Sequence, residues 1–177
     1  MQIKNDEHHF GLVAILLHWL MALLIIGMLA VGLYMVELPI GIQKLKIYGW
    51  HKEFGILVLM LVIFRILWRL TNPTPVLNLP WYERMGARLA HLALYVLMLA
   101  MPLSGWLMTS AAGLPPSFFG LFTLPSLVAP NDALRELFAW IHEWLAYGLI
   151  TVIVIHTLGA LKHHFIDKND ILRRMIS

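Results

Sequence analysis

The sequence predicts an all-α integral membrane protein, a four-transmembrane-helix antiparallel bundle with both termini cytoplasmic. Three observations carry that reading. The 177 residues are 60% hydrophobic and 13% charged, and a mean hydropathy of +0.76 is far too apolar for a soluble domain of this length. Four apolar runs, at about residues 12–36, 47–70, 87–110 and 138–162, are each long enough to cross a hydrocarbon core of ~30 Å at ~1.5 Å rise per residue. The 13 Lys and Arg residues divide unequally between the ends of these runs. Lys4, Arg65, Arg69, Arg84, Arg88, Lys162, Lys168, Arg173 and Arg174 fall on the side of the termini; only Lys44, Lys46, Lys52 and Arg135 fall on the other. Basic residues are retained on the cytoplasmic side. No domain linker, internal repeat or nucleotide-binding glycine pattern interrupts the chain, so residues 1–177 read as one domain.

Composition also narrows the chemistry. With no cysteine, the chain can form no disulfide, no covalent c-type haem attachment and no cysteine-held iron–sulfur cluster. A redox metal would have to be held by histidine or methionine. The formal charge of +3 is no sign of nucleic-acid binding, because the basic residues gather beside the apolar runs as topology signals.

Residues 1–10 are polar and read as a solvated tail. The first apolar run is too long for the ~7–15-residue core of a signal peptide and is expected to be retained. It holds His18, and Met21, Met28 and Met35 recur at every seventh position, a spacing that more often means packing than ligation. Residues 37–46, with Pro39 and Gly41, form a connection to the aromatic boundary residues Tyr48 and Trp50. The second run carries His51 near its start and Arg65 and Arg69 near its end. Those arginines either snorkel to headgroups or pair with a cofactor carboxylate. Residues 71–84, with Pro73, Pro75 and Pro80, form a loop. The third run has His91 in its first turns and Pro102 in its far half, where a bend is expected. Residues 111–137 are rich in Gly, Pro and Phe, and Phe118, Phe119 and Phe122 mark this stretch as an interfacial lid.

The fourth run places His142 and His156 fourteen positions apart, just under four turns, so both imidazoles leave one face about 21 Å apart along the axis. Buried histidine in a membrane needs a partner, which is either a neighbouring helix or a metal. Depth pairs them with histidines elsewhere. His18 is six residues inside its run and His156 six residues from Lys162, each ~9 Å deep on the side of the termini. His51 and His142 each lie about four residues, ~6 Å, inside the opposite ends. Two facing imidazoles suit a six-coordinate b-type haem, whose equatorial sites belong to the porphyrin. Zinc wants about four ligands at one point, and two histidines per level fall short. Gly55 and Gly159, close after His51 and His156, would leave room beside the ligand helices for a flat macrocycle.

The runs Leu17-His18-Trp19, Trp50-His51-Lys52 with Gly55, Leu89-Ala90-His91 with Tyr95 and Pro102, and Trp140-Ile141-His142-Glu143 resemble the bacterial cytochrome b561 family. So does the ending, from His156 through His163-His164 and Asp167-Lys168-Asn169-Asp170 to Leu172-Arg173-Arg174-Met175. The resemblance implies a di-haem cytochrome of the bacterial inner membrane that exchanges electrons with ubiquinone in a respiratory chain. It implies an inner haem on His18 and His156 and an outer haem on His51 and His142, the same pairs that depth selects. A member that the chain resembles is a superoxide:ubiquinone oxidoreductase, taking electrons from superoxide on the outer side. Related haem b subunits relay electrons for a dehydrogenase or hydrogenase partner, and this chain is alternatively such a subunit.

Two further groups follow from placement. His91, left over after pairing, lies near the inner level with Arg88 three residues earlier and His163 and His164 at the boundary. Such titratable groups suit a quinone, whose reduction needs protons as well as electrons. Lys44, Lys46 and Lys52 lie near His51 at the outer surface, where they would steer a small anion such as superoxide. Their alternative role is to sit among headgroups.

Overall fold

The structure is a computed structural model that describes residues 2–6, 9–75 and 79–175. Met1, Glu7 and His8 of the tail, residues 76–78 of the proline-rich loop and residues 176–177 lie outside the described residues. Four long helices account for most of the chain: α1 Leu12–Glu37, α2 Ile42–Thr71, α3 Trp81–Ala111 and α4 Asp132–Phe165. A two-stranded hairpin, β1 Ser117–Phe118 and β2 Phe122–Thr123, precedes α4, and a 3-10 turn, Arg173–Met175, follows it.

The boundaries differ from the sequence expectation in one systematic way. Helix α2 starts at Ile42, not near residue 47; α3 starts at Trp81, not near 87; α4 starts at Asp132, not near 138. Apolar periodicity marks only the span in hydrocarbon, whereas helical hydrogen bonding continues into the boundary layer until a local signal stops it. Those signals are legible. Helix α1 ends at Leu38, which is extended (φ −68°, ψ 142°) because Pro39 follows it. Helix α3 begins directly after Pro80. In α4 the Asn131 side chain accepts the Leu134 amide at 2.9 Å, with Asp132 in the first turn and Lys162, His163 and His164 in the last, so both ends suit the helix dipole.

All four helices are apolar enough to span a membrane, yet between 6% and 22% of their most apolar windows is buried within the protein. Large side chains such as Leu23, Leu67 and Leu158 face outward, an arrangement stable in hydrocarbon and not in water. Met21, Ile25, Val58, Val62 and Leu149 form the buried centre. Helices α3 and α4 pack closely, α1 packs on α2, and α2 on α3; α4 makes no comparably close backbone approach to α1 or α2. The helix that carries two candidate ligands thus stands off from the two helices whose histidines face it.

Contacts tie the terminal end together. Asn5 Nδ2 donates to the Pro73 carbonyl at 2.9 Å, Trp19 Nε1 to the Met175 carbonyl at 2.6 Å, and Lys162 pairs with Glu83 at 2.7 Å. At the other end the hairpin turns through Phe119 (φ 47°) and Gly120 (φ 71°). The left-handed backbone at Phe119 is held by ring contacts, with Phe118 at 4.9 Å and Phe54 of α2 at 5.3 Å. The stretch expected to act as a lid therefore rests on α2 one turn from His51.

Candidate functional site

Two groups of side chains meet inside the bundle, one towards each end. Near the hairpin, His51 of α2 and His142 of α4 stand with ring centres 6.3 Å apart and planes at 79°. Near the terminal end, His18 of α1 and His156 of α4 also stand 6.3 Å apart, at 60°. His91 of α3 is 5.5 Å from His156, so the third histidine belongs to this second group.

The surroundings of the two groups differ. His51 and His142 line one cavity with Ile25, Met28, Gly55, Val58, Met101 and Pro102, an almost wholly apolar wall. A Cβ on Gly32 would lie 3.3 Å from His51 Cε1, and a Cβ on Gly105 would lie 3.3 Å from His142 Cε1. Both imidazoles therefore rest against bare backbone that any side chain would crowd. His142 Nδ1 is 2.8 Å from Ser104 Oγ, and Ser104 Oγ is 2.8 Å from the Met101 carbonyl. His51 Nδ1 is buried with no hydrogen-bond partner among the described residues.

Around His18 the setting is charged. The Arg65 guanidinium lies 3.1 Å from His18 Nδ1 and donates to the Tyr95 hydroxyl at 3.3 Å. Arg69 lies over the Tyr95 ring at 5.5 Å. Arg65 is thus turned inward, not outward to headgroups, and neither arginine has a carboxylate partner among the described residues.

The remaining expected residues are dispersed. Arg88 is exposed on α3, and His164 packs against the Phe165 ring at 4.8 Å. His163 Nδ1 is 2.8 Å from Asp167, which Lys162 also reaches at 2.9 Å while holding Glu83 at 2.7 Å. The hydrogen bond from Lys162, with a smaller one from His163, holds the Asp167 carboxyl below its usual range. Lys44 caps α1, donating to the carbonyls of Leu38 at 2.8 Å and Val36 at 3.0 Å. Lys46 lines a shallow surface depression with Trp50, and Lys52 is half-buried with no polar partner among the described residues. Met21 is core, Met28 lines the cavity, and Gly159 faces open space.

Sequence reasoning missed Gly32, Arg65 as a partner of His18, Ser104, Gly105, Glu83 and Asp167. A signal for three of these was present. Each helix carries two of the converging positions fourteen residues apart: His18 and Gly32, His51 and Arg65, His91 and Gly105, His142 and His156. Since fourteen residues is just under four turns, each helix shows one face at two heights. One height collects Gly32, His51, Gly105 and His142; the other collects His18, Arg65, His91 and His156.

The residues present fit b-type haem. His18 with His156, and His51 with His142, each facing at 6.3 Å between ring centres, would hold one iron per pair. Paired imidazoles, apolar walls and a standing-off α4 suit a flat apolar macrocycle. A membrane helical bundle with paired interior histidines defines the class of membrane b-type electron-transfer cytochromes. Residues 9–177 match the family model of prokaryotic cytochrome b561. The chain is 40% identical to cytochrome b561 homolog 2 of Escherichia coli K12, over 99% of this chain and 95% of the relative. It is 35% identical to cytochrome b561 homolog 1 of the same organism over 71% and 72%, and 32% identical to the probable superoxide oxidase CybB of Yersinia pestis over 90% and 91%. The chain belongs to the prokaryotic cytochrome b561 family: it is a bacterial membrane protein that binds b-type haem and transfers electrons.

Proposed function

We propose that the chain is one domain holding two b-type haems in the inner membrane, with both termini cytoplasmic, and that it carries electrons from a periplasmic donor to ubiquinone. The observation that supports this most is the repeated 6.3 Å separation of His18 from His156 and of His51 from His142. His91, 5.5 Å from His156 and left over once the two pairs are drawn, is assigned to proton handling. When bound, each haem supplies reversible one-electron chemistry.

Superoxide is the proposed donor. Each of two superoxide anions gives up one electron and leaves as dioxygen; one ubiquinone takes two electrons and two protons to become quinol. The protein's own tasks are then to attract an anion at the outer end and to deliver protons at the inner end. Lys52, beside His51 and without a polar partner among the described residues, and Lys46 on the approach serve the first task; Lys44 is already engaged by α1. His91 and His163 serve the second, with Arg88 and His164 flanking the same end. Support for superoxide comes from the Yersinia pestis relative, a probable superoxide oxidase.

Purified protein supplied with ubiquinone and mixed rapidly with superoxide, with no protein partner present, is expected to show haem reduction followed by quinol formation. Lys52→Gln is expected to slow that reduction severalfold, with a weaker salt dependence, while quinol-driven haem reduction stays unchanged. Failure of superoxide to reduce the isolated protein would remove it as donor and leave the second reading, an electron-relay subunit served by a dehydrogenase.

A further inference from the structure

Ser104 lies two residues after Pro102 on α3, 5% exposed, and none of the preceding roles uses it. Its hydroxyl oxygen sits 2.8 Å from the Met101 carbonyl and 2.8 Å from His142 Nδ1. A hydroxyl has one proton, and a carbonyl can only accept. The proton therefore goes to Met101, and the hydroxyl oxygen is left to accept from His142. An accepting Ser104 requires Nδ1 of His142 to carry the ring proton, so that Nε2 keeps its lone pair.

We infer that Ser104 is a positioning residue for the outer histidine pair, its hydroxyl accepting a hydrogen bond from His142 Nδ1–H and so fixing the tautomer that ligates iron through Nε2. This rests on the reading that His51 and His142 hold a haem. The adjacent Gly105 completes the device: its missing side chain lets the imidazole approach α3 closely enough to reach Ser104, since a Cβ there would press on His142 Cε1 at 3.3 Å. Consecutive residues thus set the ring's tautomer and its position.

The consequence is electronic. A hydrogen bond accepted from the non-ligating ring nitrogen makes imidazole a stronger donor to its metal, which favours ferric over ferrous iron. Among the described residues His51 has no such bond, because its Nδ1 is buried without a partner. Among the described residues, Ser104 is the side chain that hydrogen-bonds a ring of the outer pair, beside the Met101 backbone that His142 also meets. Lowering the outer site's potential favours electron departure from it towards the inner one.

The test is an optical redox titration of purified wild type, Ser104→Ala, Ser104→Cys and Ser104→Thr, with haem per chain measured on each. Ser104→Ala is expected to keep two haems and raise the potential of one component by about 59 mV, a tenfold change in its reduced-to-oxidised ratio. The other component is expected to stay put. Ser104→Thr restores the acceptor and should titrate as wild type. Ser104→Cys, similar in shape with a poor acceptor, carries the measurement if Ser104→Ala sheds haem, and should also rise. Two retained haems with unchanged potentials in the Ala or Cys variant would overturn the inference. Fewer than two haems in the wild type would instead sink the two-haem reading on which it rests.

Discussion

The two histidine levels are built by the same four helices, each giving one residue per level, yet their backing residues are opposite in kind. At the outer level the positions behind the paired rings are Gly32 and Gly105, and the walls are apolar. At the inner level the corresponding positions are Arg65, 3.1 Å from His18, and His91, 5.5 Å from His156. Glycine backing suits a site that only passes single electrons, because it brings imidazole against backbone and keeps charge and water away. Cationic and titratable backing suits a site beside a proton-requiring acceptor.

The largest expected effect breaks the two levels apart. Replacing His51 or His142 by Ala should remove one haem, and replacing His18 or His156 the other, whereas His91→Ala should keep both and slow quinone reduction. Haem per chain decides this; loss of the inner haem in His91→Ala together with two haems in His18→Ala would reassign the ligand.

The next effect tests the glycine backing directly. Gly105→Leu drives a branched side chain into the His142 ring, where even a Cβ would stand at 3.3 Å. Outer haem content should fall sharply while the inner haem persists. Equal loading of both sites in this variant would show that the close approach is dispensable.

A smaller effect is expected at the charged level. Arg65→Gln removes a fixed cation beside His18, and a cation favours the ferrous state, so the inner haem's reduced-to-oxidised ratio at a given potential should drop roughly tenfold. The outer haem should be untouched, being about 21 Å away along the helix axis. An upward shift of the inner potential would mean that Arg65 acts through something other than its charge.

The smallest effect concerns the cluster that fastens the end of α4. Asp167 has a carboxyl pKa lowered from 3.8, chiefly by the hydrogen bond from Lys162. A depressed folded-state value means that its stabilisation is present above the unfolded pKa and is lost as pH falls through the folded one. Hydrogen-exchange protection of residues 166–175 should thus persist at neutral pH and decay only below about pH 4. Asp167→Asn should show the decayed level at neutral pH; wild-type protection in that variant would dissociate the cluster from the segment's order.

Much of this was legible in the chain because hydropathy and helical spacing are local properties. The four spans, the loops marked by Pro39, Pro73 and Pro80, and the equal depths of His18 with His156 and His51 with His142 all follow from counting along the sequence. The starts of α2, α3 and α4 were misplaced by five or six residues, while that of α1 at Leu12 was not, since the ends of hydrophobic runs report the membrane boundary while Asn131, Pro80 and Gly41 report the helix boundary. Arg65 was ambiguous from sequence because a long cationic side chain near a helix end can turn either way.

By itself, then, the sequence determined the membrane class, the helix count and the residues offered at each height, because each depends on one helix's composition and period. Only the tertiary structure decided which side chains face one another. Arg65 turns to His18, His91 joins His156, Lys44 is taken up by the end of α1, and Ser104 meets His142 across the α3–α4 contact. The physical reason is that spacing fixes height and face on one helix, whereas rotation about its axis and distance from its neighbours are set by packing. That packing depends on small residues such as Gly32 and Gly105, whose importance lies in the side chain they lack.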